Sequence, residues 1–132
     1  MSNEDLATGF NETVEKHTGQ FLGLQLWLIH MEAPVSLDDM TPYIPDHIDY
    51  ALSLERDGVL FAAGPVADAA GGLSGRGLFI VHADNREKAE QIANNDPLVK
   101  NGVRRFKVEQ WTLNVGQIQQ TVRLSNQTIA FR

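Results

Sequence analysis

Between Phe21 and Met31 the chain reads FLGLQLWLIHM, and both sets of alternating positions are largely apolar. Side chains of a β-strand point to opposite faces with a period of two. Leu22, Leu24, Leu26 and Leu28 therefore line one face, and Phe21, Trp27, Ile29 and Met31 the other. A strand that is apolar on both sides has to be covered on both sides. The run has eleven residues, well short of the roughly 20 that a membrane-spanning helix needs. It is expected to be an inner strand of a folded domain, and no membrane partner is expected.

The rest of the chain has to supply the cover. EAPVSLDDMTPYIP holds three prolines, which exclude a continuous helix or a central strand; a loop is expected. A helix follows from about Asp46 to Asp57. Stepping about 100° per residue gathers Tyr43, Ile44, Tyr50, Ala51 and Leu54 around His47, with Asp49, Ser53, Arg56 and Asp57 opposite, so His47 faces inward. Gly58 suits the helix stop. VLFAA is a short buried strand that Gly64-Pro65 should end, because proline gives no donor to a ladder. ADAAGGLSGRG is expected to be a flexible connection into a third strand, LFIVHA, making a hairpin with a long loop.

Asp84 and Glu87 have capping-box spacing and open a second helix whose stripe is Ala89, Ile92 and Ala93. DPLVKNG is a turn. In VRRFKVEQW, Phe106 and Val108 alternate with Arg105, Lys107 and Glu109, giving a fourth strand with one core face. Leu6, Phe10 and Val14 predict a weak N-terminal helix before Thr18-Gly19. GQIQQTVRL and QTIAF, around Ser125-Asn126, predict two further short strands or an exchanged arm.

This order predicts an α+β fold: a ferredoxin-like βαββαβ domain with an antiparallel four-stranded sheet and both helices on one face. The division expected is an arm over residues 1–18, the α+β domain over 19–112 and a C-terminal extension over 113–132. Helices cover one sheet face only. The other would be a larger apolar patch than a monomer usually exposes, so a homodimer packed sheet on sheet, or a higher homo-oligomer, is expected.

Composition narrows the function. A net charge of -6 argues against a broad nucleic-acid surface, which must neutralise several phosphates. The basic cluster Arg104, Arg105 and Lys107 is read as a solvated sheet edge or a local anion contact. Without cysteine there is no thiolate nucleophile and no disulfide framework. The opening MSNEDLATGFNETVEK lacks a secretory pattern, and a cytoplasmic location is expected.

The run HIDYALSLERDGVLFAAGP, the glycine-containing hairpin before GLFIVHA, and EKAEQIANNDPLVKNGV with the later VEQW together resemble the YCII-related (YciI-like) family over about Phe21 to Trp111. That family lies in the dimeric α+β barrel group of ferredoxin-like folds. The resemblance implies a fold like that of muconolactone isomerases; a few members act in chlorinated-aromatic breakdown, including a dehydrochlorinase. It also implies a site at His47 and Asp96, with Gly64-Pro65 in its wall. Many relatives carry a basic residue three positions before the helix histidine. Ile44 stands there in this chain, so an anionic-substrate preference is not carried over.

A histidine beside a carboxylate can take and return protons near neutral pH while the carboxylate fixes its tautomer. The alternative is a core histidine satisfied by a backbone carbonyl, with Asp96 merely capping its turn. Tyr50, one turn beyond His47, either donates to a substrate oxygen or packs its ring with the hydroxyl at a rim. GGLSGRG lacks the Gly-Lys-Ser/Thr of a phosphate loop, but Ser74 and Arg76 can close over a ligand. His30 and His82, at strand ends, are read as structural or exposed. His47-x-Asp49 and His82-x-Asp84 are too common as spacings to mark a metal site, and residues i and i+2 of a helix face apart; no metal and no cofactor are expected. Two functions remain open: a small lyase or isomerase working on a cyclic or aromatic compound, or a non-catalytic ligand-binding or assembly domain.

Overall fold

The structure is a computed structural model, and it describes residues 3–131; residues 1, 2 and 132, and the side chains of residues 3–7, Leu6 among them, and of 131, lie outside the described residues. In chain order the elements are α1 (Asn3–Thr18), β1 (Leu24–Glu32), α2 (Leu37–Met40), a 3-10 turn (Thr41–Tyr43), α3 (Ile44–Arg56), β2 (Leu60–Ala67), β3 (Leu73–Val81), α4 (Arg86–Asn94), α5 (Pro97–Lys100), β4 (Arg105–Leu113), β5 (Gln120–Arg123) and β6 (Thr128–Phe131). They divide into two compact units, Gln25–Thr112 and a second that joins the described residues up to Leu24 with those from Leu113.

The larger unit is built on the sheet β2-β3-β1-β4. β3 runs antiparallel to both β1 and β2, and β4 pairs with β1 at the other edge. With α3 and α4 as crossovers this is the ferredoxin-like α+β arrangement expected, the protomer fold of the dimeric α+β barrel group. Trp27, Ile29 and Met31 of β1 share a face with Phe79 and Val81 of β3 and Val108 of β4, and they bury against Leu54 of α3 and Ala89 and Ala93 of α4. The small side chains of α4 let that helix approach closely. On the opposite face Leu26 is fully buried and Leu28 half-buried. A satellite cluster of Met40, Leu98 and Val103, with Tyr43 and Ile44, seats the short helices at one end of the sheet.

Several boundaries differ from the sequence reading. β2 does not stop at Gly64-Pro65 but runs on to Ala67. It is an edge strand, where a proline costs no ladder bond if its nitrogen faces outward. The connection to β3 is correspondingly short. Asp68 holds it: its Oδ1 accepts from the amides of Ala70 (3.0 Å) and Gly72 (2.9 Å). α4 is capped by Asn85, whose side chain accepts from the Lys88 amide, while Asp84 pairs with Lys88 Nζ at 3.1 Å. α3 begins at Ile44 with Pro45 in its first turn, where the missing N–H would be unpaired anyway. DPLVKNG folds into the single turn of α5, capped by Asp96.

In the smaller unit, α1 exposes Phe10 and Val14. β5 and β6 form an antiparallel hairpin, turned by Gln127 at a φ of 56° with Asn126 Oδ1 accepting from the Thr128 amide at 3.2 Å. Among the described residues no helix is long and apolar enough to cross a membrane.

Candidate active site

His47 sits one turn into α3, on the side where Ala51 and Leu54 turn toward the sheet. Its ring lies nearly flat on Phe79 of β3, with centroids 5.7 Å apart and planes 24° from parallel. Nδ1 is 3.0 Å from Oδ1 and 2.9 Å from Oδ2 of Asp96. The Asp96 side chain is 0% exposed and that of His47 15%. A ring nitrogen that faces two carboxylate oxygens is the donor, which leaves Nε2 as the basic nitrogen.

Asp96 is held by the backbone it caps. Its Oδ1 accepts from the Leu98 amide at 2.9 Å, and Leu98 is itself fully buried in the satellite cluster. The capping role and the histidine-partner role, alternatives in the sequence, coexist in one carboxylate. A capping aspartate is a fixed acceptor, so the imidazole it holds is fixed as well.

The ring borders a half-open cavity of 560 Å³, a size suited to a small organic ligand. Ile48 and Ala51 of α3, Met40 of α2 and Phe79 of β3 make its apolar walls. Gly64, Pro65, Ser74 and Arg76 all line it. Ser74 Oγ donates to the Val66 carbonyl and Arg76 Nη2 to that of Ala67 at 3.1 Å, so both polar groups tie β3 to β2. A Cβ built on Gly64 meets nothing within 4 Å; lack of room is not what places glycine there.

Tyr50 stands apart from the other four residues expected to bind a substrate. It does not border the cavity, and its hydroxyl donates to the Ile92 carbonyl at 2.6 Å. Burial first, and then the negative charge of Asp96, push its pKa up to about 12, so it stays a neutral phenol bracing α3 against α4. Of the other histidines, His30 pairs with Glu109 at 3.1 Å on the sheet surface, and His82 meets Phe61 edge-on at 6.3 Å. Among the described residues no three His, Asp or Glu side chains converge as metal ligands would.

One residue of the basic cluster, expected at a solvated sheet edge or a local anion contact, belongs to the cavity. Arg104 precedes β4, is only 9% exposed and borders the same cavity. Its Nε (3.3 Å) and Nη2 (3.1 Å) donate to the Gly75 carbonyl, and its Nη1 lies 3.5 Å from Met31 Sδ. The signal was present in the alternation: Arg104 is in phase with Phe106 and Val108, which face the core, not with Arg105 and Lys107.

The YCII-related domain model matches residues 25–112. The chain belongs to the YCII-related family. Uncharacterized protein YjpA of Bacillus subtilis (strain 168) is 30% identical to this YCII-related protein over 71 residues, 54% of this chain and 78% of YjpA. Among solved structures, the 5-chloro-2-hydroxyhydroquinone dehydrochlorinase TftG of Burkholderia phenoliruptrix AC1100, in complex with 2,5-dihydroxybenzoquinone, is similar at a TM-score of 0.58. Identity to it is 25%, with 65% of this chain and 92% of that one covered.

Proposed function

We propose that this YCII-related protein is a small cofactor-independent enzyme that moves a proton on a small cyclic or aromatic compound, as a lyase or isomerase. His47 is its general base and acid, and Asp96 the partner that orients it. The observation that carries this reading is the grip of both Asp96 oxygens on Nδ1, at 2.9 and 3.0 Å, on a ring that opens into a cavity.

Nε2 takes a proton from a C–H or O–H of the bound compound, and the buried carboxylate balances the imidazolium that forms. In an elimination, the electron pair left behind expels a leaving group as an anion, and one molecule of HX is lost. In an isomerisation, the imidazolium returns the same proton to a different atom of the compound as the double bond shifts. Neither course changes the oxidation state of the compound overall, so neither requires a redox cofactor. TftG supports the reading, being a small-molecule enzyme of similar fold whose name describes loss of HCl.

The test is chloride release from 5-chloro-2-hydroxyhydroquinone by the full chain, compared with His47→Gln. Release that falls at least about a hundredfold in the variant, in line with the usual weight of a general base, supports the assignment. Equal release by the variant rejects His47 as the base. Binding without release by the wild type favours a non-catalytic ligand-binding domain. We also propose that two copies pair sheet on sheet through the face carrying Leu28, Leu78 and Ile80, which alternate with the core-facing residues of β1 and β3.

A further inference from the structure

The loop-like motif Ser74-Gly75-Arg76-Gly77 is unexplained by the His47 chemistry, and its two glycines have one purpose in common. Gly75 has a φ of 78°, and a Cβ there would lie 3.0 Å from both Ala33 Cβ and Leu37 Cδ2. Gly77 faces the cavity side of β3, in phase with Phe79, and a Cβ on it would lie 3.0 Å from Arg104 Nη2. The first glycine presents its carbonyl to the Arg104 guanidinium; the second leaves the space the guanidinium fills.

Among the described residues the guanidinium touches no carboxylate. Of the five N–H groups an arginine carries, three are engaged: two on one carbonyl and one against a thioether. Arg105 has Glu32 at 2.6 Å and Lys107 has Glu109 at 3.5 Å, but no carboxylate of the described residues forms an ion pair with Arg104. Arg76, the other cation on the cavity wall, is exposed and turned to the Ala67 carbonyl. Burial pushes the Arg104 guanidinium below its ordinary pKa, and the charge of Asp96 pushes it partly back up. A charge removed from water without a partner is costly, and a planar fork with free donors is matched best by a carboxylate.

We propose that Arg104 is the ligand-anchoring residue of the cavity, and that it selects small rings carrying an anionic oxygen, an ionised ring hydroxyl or, bound best, a carboxylate. This rests on the cavity being the binding site of the function proposed above. Arg104 brings a buried positive charge to the cavity wall from the strand side. The anionic oxygen on Arg104 then holds the ring while Nε2 of His47 works on it.

The test compares benzoate with benzamide, which share a ring and differ in charge, by calorimetric titration of the full chain. Wild type is expected to bind benzoate at least about tenfold tighter than benzamide. Arg104→Met is expected to weaken benzoate about ten- to hundredfold and to leave benzamide within about twofold. His47→Gln should keep the preference, so loss of turnover there and loss of discrimination at Arg104 are separate results. Because Arg104→Met can unfold the protein, the wild type is also followed by 15N NMR: the Arg104 Nε–H signal should move with benzoate and stay with benzamide. Equal affinity for acid and amide, no benzoate binding by the wild type, an undiminished preference in Arg104→Met, or an unmoved Nε–H signal each overturns the proposal.

Discussion

Replacing Asp96 separates its two attachments. Asp96→Ala removes the α5 cap, a loss of about 1 kcal/mol, and the charge-assisted bond to His47 Nδ1, a further ~1.5–3 kcal/mol. Because the carboxylate is wholly buried between the two donors, neither is replaced by water, and the expected total is about 3 kcal/mol. For a chain of 132 residues that is a fall in Tm of roughly 10 °C. Asn is as good a cap as Asp, so Asp96→Asn should keep the bond to the Leu98 amide and lose no more than about half as much. The amide turned toward Nδ1 favours the opposite tautomer of the ring, the change that disables a Ser-His-Asp triad by about 10⁴. Urea unfolding of both variants, beside Asp49→Ala on the exposed face of α3 as a control, reads the stabilities. If Asp96→Ala costs no more than Asp49→Ala, or Asp96→Asn as much as Asp96→Ala, the dual attachment is refuted.

Tyr50→Phe should destabilise by about 1 kcal/mol at neutral pH through loss of the bond to Ile92. The folded pKa of Tyr50 lies above the ordinary 10.0, so its contribution is complete below pH 10 and drains away as the pH rises through about 12; urea unfolding between pH 9 and 12 should fall more steeply for wild type than for Tyr50→Phe. Gly75→Ala should cost about 1–3 kcal/mol, since it combines a positive φ with two 3.0 Å contacts, measured as a lower midpoint in urea; an unchanged midpoint would contradict the packing described. Ile80→Asp should abolish the proposed sheet-on-sheet pairing, seen in sedimentation as a shift to monomer at micromolar concentration, and a wild type that is already monomeric there would contradict that pairing.

How far the sequence could be read depended on periodicity. β1 was legible because a strand apolar at both phases has few alternatives, and His47 because one turn of helical spacing places it with Ala51 and Leu54. The end of β2 was misread because Gly64-Pro65 signals a stop only in an inner strand, and edge position is a property of the whole sheet. Asp84 and Asn85 are adjacent and both are good caps, and local geometry alone selects Asn85. The contact of His47 with Asp96, 49 residues apart, could not be derived from spacing and came only through family resemblance. For Arg104 the sequence leaves two readings, a solvated edge suggested by Arg105 and Lys107 or a local anion contact, and its phase with Phe106 and Val108 is what turns it inward. The fate of the Tyr50 hydroxyl depended on a backbone carbonyl of α4, which no side-chain pattern reports.

The most direct measurement is the 15N NMR spectrum of the His47 imidazole, recorded with and without benzoate. Nδ1 is predicted to carry the proton in the free protein, with Nε2 bare and the resonance that moves when benzoate is added. A proton on Nε2 with Nδ1 bare, or ring nitrogens indifferent to the ligand, would contradict the account.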